Sequence, residues 1–230
     1  MTVQRAIVLA DGDPPTRDEL DRAWPGWADR IDLVVAADGG ARLAAPLGLR
    51  IDAWVGDGDS LEAGALEELR NAGVPIALAP SDKDESDAEL ALLAAIEAGA
   101  LDVTILGALG GPRFDHALAN AALLAHPAAA GIAVRLLDGR TRVRLLTAPG
   151  TDGEAGRLDL AGRVGDLVSL VPAGAAVGVT TAGLRYALRD EDLPAGPARG
   201  LSNVREAIDA EVRLRHGRIL VVELPATLPA

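Results

Sequence analysis

The 230-residue sequence contains no cysteine. Disulfide staples, thiolate zinc sites and cysteine nucleophiles are therefore excluded, and a reducing cytoplasm is the natural expectation for its compartment. Aromatic residues are almost as scarce, with Trp24, Trp27, Trp54, Phe114 and Tyr186 making up the whole set. Stacking platforms are few, so the core must come mostly from Ala, Leu and Val. No apolar run reaches the roughly 18 residues a membrane helix needs, and the opening Met-Thr-Val-Gln-Arg leads into a strand-like run rather than a signal peptide. A soluble, cytoplasmic protein with no membrane partner is expected. Positive charge is also in deficit. A formal net charge of −12 argues against a nucleic-acid partner, although a local group of arginines can still hold a nucleotide. Two loop signatures are missing as well: G-x-x-x-x-G-K-[ST] occurs nowhere, and no G-x-G-x-x-G follows the first strand. Phosphates, if bound, must be held another way.

Hydrophobic residues make up 49% of the chain, enough to bury a core without staples. The first half alternates apolar runs with helical patterns. Strands are predicted over 5–10, 32–37, 53–55, 74–78, 101–106 and 133–137. Thr16 and Glu19 have capping-box spacing for a helix that Pro25 closes, and Ser86 and Glu89 repeat that spacing before a helix reaching Ala98. Further helical patterns begin at Leu61-Glu62 and cover 117–125. This alternation implies right-handed crossovers and a mainly parallel sheet covered on both faces, a three-layer α/β arrangement. Beyond about residue 139 the runs become short and β-like, at 142–146, 166–171, 177–181, 207–214 and 218–224, with Gly, Pro and Asp between them. Two domains are expected: α/β over 1–138 and an all-β domain, read as a β-sandwich, over 139–230.

In open parallel sheets ligands bind beyond the carboxyl ends of the strands. Those ends carry Asp11, Asp38, Asp57 and Asp59, the acidic cluster at 82–87, and Arg113 with Asp115. A shared site gives the acids a reason to follow one strand after another. The centre is Val55-Gly56-Asp57-Gly58-Asp59-Ser60. Two carboxylates about 4 Å apart repel by roughly 1 to 4 kcal/mol, so a rigid pair asks for a proton, an Arg or a divalent cation, and their oxygens suit magnesium. An isolated Asp-Gly-Asp is more often a polar surface turn; its company is what favours a metal. Asp87, in the first turn of its helix, can point back as a third carboxylate, Lys83 can contact a phosphate, and Glu85 is read as solvated. The N–H groups of residues 107–111, Gly110 and Gly111 among them, either line an anion or simply turn the chain. Arg113 either offers its planar fork to phosphate or pairs with Asp115. His116 and Asn120 share a helix face, with a structural role read for the histidine.

Asp38-Gly39-Gly40, Gly56-Asp57-Gly58-Asp59-Ser60, Lys83-Asp84-Glu85-Ser86-Asp87 and Gly110-Gly111-Pro112-Arg113-Phe114-Asp115-His116 with Asn120 fall in the order and spacing of thiamine pyrophosphokinase. Gly183-Leu184-Arg185-Tyr186 and Ser202-Asn203 in the β half are similar to the C-terminal signatures of that family. The resemblance spans residues 5–224 and implies magnesium-dependent transfer of the pyrophosphoryl group of ATP to the hydroxyl of thiamine, giving thiamine diphosphate and AMP. It further implies a homodimer with its site in the cleft between subunits, a catalytic α/β domain that binds nucleotide and metal, and a β-sandwich for thiamine and dimerisation. Asp57, Asp59 and Asp87 resemble the magnesium ligands. Asp38, Lys83, Gly110, Gly111, Arg113 and Asp115 resemble groups around the nucleotide, with Asp115 or Asp38 read as proton acceptor. Ser202 and Asn203 resemble contacts to thiamine, and Tyr186 either stacks on its rings or fills the core. The chain departs from the family at Gly58, where an apolar residue is usual, at Ser86, usually Thr, and at Ile51, usually Pro. Two alternatives stay open: a related pyrophosphokinase acting on another hydroxymethyl heterocycle such as a pterin, and a non-catalytic nucleotide-binding module.

Overall fold

A computed structural model describes residues 3–61, 64–148 and 155–226. The chain divides into two compact units, Met1–Gly139 and Arg140–Ala230. In the first, six strands form a parallel sheet: β1 (Arg5–Leu9), β2 (Leu33–Ala37), β3 (Ala53–Gly56), β4 (Ile76–Leu78), β5 (Asp102–Leu106) and β6 (Ala133–Leu137). Their order is β4-β3-β2-β1-β5-β6, with Val8 opposite both Val35 and Ile105. Four of the five residues in β1, β2 and β5 are buried, as parallel strands covered on both faces require.

Helices supply the cover. α1 (Arg17–Ala23) opens on the expected capping box, Thr16 with Glu19. α2 (Ala44–Leu47) follows a 3-10 turn over Asp38–Leu43, and α3 (Ala65–Asn71) follows Gly64. The helical pattern foreseen from Leu61-Glu62 thus starts late, and Glu62 lies outside the described residues. Trp24, Trp27, Leu43, Leu47 and Trp54 pack with Ile7, Leu9, Val34 and Ala36 in one cluster. α4 (Asp87–Glu97) starts at Ser86, whose hydroxyl accepts from Glu89 N, and buries Ala88, Ala91, Leu92 and Ala95 at helical spacing. It packs against β1, β2, β3 and β5. α5 (Phe114–Leu123) begins three residues before the predicted 117.

The second unit is antiparallel throughout. β7 (Arg142–Thr147) pairs with β13 (His216–Leu224), β13 with β9 (Leu167–Ala182), and the end of β9 with β12 (Ala210–Leu214), which pairs in turn with β8 (Gly156–Leu160). β10 (Glu191–Leu193) and β11 (Asn203–Val204) add to β9. Inner faces of both ladders meet in a cluster that includes Leu146, Leu160, Leu170, Val212 and Val221, the packing of a sandwich. Where two runs were predicted at 166–171 and 177–181, one 16-residue strand passes through; Pro172 lies where the β9–β13 register shifts, a bulge at which a missing N–H is tolerated. β8 was not predicted, its Arg157 and Asp159 having broken the apolar signal.

Candidate active site

The sheet order changes direction between β1 and β5, so the loops leaving those strands part and open a crevice at their carboxyl ends. A cavity of about 280 Å³ lies there. Its walls include Asp11 and Gly12 after β1, Asp38 after β2, Asp87 at the start of α4, Gly110 and Gly111 after β5, and Arg113. The two loops are pressed together. Gly12 N donates to Gly107 O at 2.7 Å, and a Cβ on Gly107, at φ +66°, would stand 2.3 Å from Ala10 O. Only glycine fits that approach. Arg42 ties the β1 loop down, donating to the Asp11 carboxylate at 2.8 Å and to the Asp11 and Gly12 carbonyls.

Asp38 is the pivot of the acidic group. It is 3% exposed and sits at φ +42°, a left-handed conformation that Asp tolerates better than most residues. Its carboxylate accepts from Gly58 N at 3.1 Å and Ser60 N at 3.2 Å, and Trp54 Nε1 donates to its carbonyl. The loop after β3 is thereby drawn over it. A Cβ on Gly56 would come within 2.8 Å of Asp38 Cβ, which accounts for the glycine. Carboxylate oxygens of Asp38, Asp57 and Asp59 all lie within 4.8 Å of one another. Burial raises the Asp38 pKa, against the bonds from Ser60, and the charge of Asp87 raises it further. Asp57 is shifted down, chiefly by the Asp59 backbone N–H and with help from Ser81 and Lys83.

Lys83 stands between two acids, its Nζ 3.1 Å from Asp87 and 3.7 Å from Asp57. Burial pulls its pKa down, but Asp87, Asp57 and Asp38 outweigh that and hold the ammonium above its ordinary range. The structure thus brings Asp38, Asp57 and Asp59 together and connects Asp87 to them through Lys83. Asp57 and Asp59 adjoin the cavity through Asp38. An all-oxygen donor set of this kind fits a hard divalent ion. Arg113 and Asp115 are mostly exposed and paired at 2.6 Å, so Arg113 holds Asp115 down at a pKa of about 2 and is itself raised by it. Ser60, Arg42 and Asn120 are site residues to which sequence reasoning assigned no role. Ser60 and Asn120 were visible within their motifs, whereas nothing near Arg42 marks it.

In the second unit the two C-terminal motifs meet. Asn203 is buried and its amide is spent on the backbone, accepting from Tyr186 N and Val204 N at 2.9 Å and donating to Tyr186 O at 2.8 Å. Ser202, at φ +58°, is exposed, and its N–H bonds Ser169 Oγ. Tyr186 is 62% exposed, so it is no core tyrosine. Together with Leu170, Leu188, Arg199 and Leu201 it lines a hollow.

Comparison with known proteins matches residues 26–136 to the catalytic domain of thiamin pyrophosphokinase and residues 157–219 to its vitamin B1 binding domain. Among solved structures, thiamine pyrophosphokinase from Bacillus subtilis superposes with a TM-score of 0.80 at 22% identity, covering 97% of this chain and 100% of that one. A thiamin pyrophosphokinase family protein from Enterococcus faecalis gives 0.79 at 25% identity with the same coverage. The Candida albicans thiamin pyrophosphokinase gives 0.75 at 15%, covering 97% and 94%. No curated protein sequence matches.

Proposed function

The chain belongs to the thiamin pyrophosphokinase family, and from that membership we propose that it transfers the pyrophosphoryl group of ATP to the hydroxyethyl oxygen of thiamine. The observation that carries this reading is the convergence of Asp38, Asp57 and Asp59 beside a cavity at the switch point of the sheet. Asp57 and Asp59 would hold magnesium, with Asp38 beside them accepting from the same loop and Asp87 on the far side of Lys83. Magnesium, when bound, supplies neutralisation of charge on the phosphates.

The chain's own groups do the rest. Gly110 and Gly111 offer backbone N–H groups to phosphate oxygens, and Arg113 leaves Asp115 to bind them with its fork. Lys83 exchanges a carboxylate for a phosphate at little cost, since both are anionic. The thiamine oxygen attacks the β-phosphorus, the bond from that phosphorus to the oxygen bridging to the α-phosphate breaks, and AMP departs with the electron pair. Of the two candidate proton acceptors we favour Asp38, which is buried in the cavity wall, over Asp115, whose side chain is mostly exposed. Ser202 and Tyr186 contact thiamine while Asn203 fixes the Tyr186 backbone. An acidic surround suits a cationic acceptor. We take the enzyme to be a cytoplasmic homodimer; light scattering on the purified protein tests the dimer.

The decisive assay mixes protein, ATP, magnesium and thiamine, and follows AMP and thiamine diphosphate together. Formation of both in equal amounts is expected. AMP formed with a hydroxymethyl pterin and not with thiamine would transfer the reading to the related enzymes, and no AMP with either acceptor would leave a binding module.

A further inference from the structure

The loop over residues 107–111 is held from one side by three successive carbonyls. Leu106 O accepts from Ala10 N at 2.8 Å, Gly107 O from Gly12 N at 2.7 Å, and Ala108 O from Asn120 Nδ2 at 2.9 Å. The first two are backbone contacts to the β1 loop. The third is the sole side-chain hydrogen bond the loop receives among the described residues. Asn120 is 8% exposed on α5 and also lines the cavity.

The donors of the same loop are in the opposite condition. Among the described residues, the N–H groups of Ala108, Leu109, Gly110 and Gly111 find no acceptor. Such groups ask for an anion or ordered water. In a trans peptide the carbonyl and the following N–H point opposite ways, so the Asn120 bond to Ala108 O fixes the direction of Leu109 N–H. It also sets the plane from which the chain enters Gly110 and Gly111, at φ +74° and +83°.

We propose that Asn120 is a positioning residue that, by holding the Ala108 carbonyl, aims the free N–H groups of the 107–111 loop at the phosphate oxygens of the nucleotide. This rests on the reading that the cavity receives ATP. Loss of the amide donor leaves a buried carbonyl unsatisfied in any case, so stability alone does not discriminate. Selectivity between the two substrates does.

The test titrates wild type, Asn120→Ala and Asn120→Asp with inorganic pyrophosphate and with ATP by calorimetry in magnesium, alongside both Michaelis constants. We expect about tenfold weaker pyrophosphate and ATP binding in Asn120→Ala, the scale of one buried hydrogen bond. Asn120→Asp keeps the volume but turns a second acceptor toward Ala108 O, and loses at least as much. The KM for thiamine stays within about twofold. Unchanged affinity in the folded variants, or ATP and thiamine KM rising together, overturns the proposal. Should neither variant fold, amide resonances of the wild type decide: those of Leu109, Gly110, Gly111 and the Asn120 side chain shift on pyrophosphate addition, and their constancy while pyrophosphate binds overturns it. Wild type that binds neither ATP nor pyrophosphate sinks the cavity reading itself, a result distinct from the others.

Discussion

Asp38 shows what a single residue contributes that its neighbours in sequence do not announce. It carries a buried charge, a left-handed backbone and two hydrogen bonds to the β3 loop. Because its pKa is raised in the folded chain, the native state retains a proton that the unfolded state has lost. Stability of the metal-free protein therefore falls as pH rises through the raised value and is regained below it. The difference in urea-denaturation stability between wild type and Asp38→Asn, which tolerates the same backbone, should show that slope across several pH values, the opposite contributions of Asp57 and Asp115 cancelling between the two. Asp57→Asn should lower turnover about a hundredfold or more while the circular dichroism spectrum is kept, the loss expected when a metal ligand goes; near-normal turnover would remove Asp57 from the metal shell. Ser202→Ala is expected to raise the thiamine KM several-fold more than the ATP KM, as measured by initial rates. The acids themselves were legible, since each follows an apolar run. Their partners were not: nothing near Arg42 says it will meet Asp11, because the two are brought together by adjacent strands 31 residues apart in the chain.

At the scale of elements, local chemistry governs where helices begin. Ser86 caps α4 and Thr16 caps α1, both readable from spacing alone. Ser86→Ala should cost about 1 kcal/mol of stability, checked by chemical denaturation. It should also raise the ATP KM, since Asp87 and its contact with Lys83 lie in that first turn. α5 was harder to place because its large apolar residues Phe114 and Leu118 face outward, leaving Asn120 and Leu123 as its buried positions. Hydrophobic periodicity then fails to mark the N-terminus, and Arg113 provides no side-chain cap. In the β half, the run predicted over 207–214 becomes a strand only from Ala210, because the buried Arg205 guanidinium takes the carbonyls of Ala207 and Ile208 away from any ladder. A charged side chain serving as backbone partner has no signature in a hydropathy pattern.

For the molecule as a whole, a net charge of −12 with acids gathered at one sheet edge is a source of repulsion that a cation relieves. A divalent ion at a hundred times its dissociation constant stabilises the folded state by about 2.7 kcal/mol, or about 5 to 10 °C in melting temperature for a chain of this size. Manganese or magnesium titrations followed by calorimetry should show this in wild type and not in Asp57→Asn; equal shifts in both would place the ion elsewhere. Among the described residues no helix is long and apolar enough to cross a membrane. The sequence by itself determined the succession of parallel strands and helices, the change to all-β structure, and the placing of acids after strands, because these follow from periodicity and turn residues over a few positions. The tertiary structure alone decided which acids meet. β2 lies beside β3, so Asp38 joins Asp57 and Asp59, while Asp87 is held through Lys83. Adjacency of strands is set by the packing of the whole sheet, and no short stretch of chain encodes it.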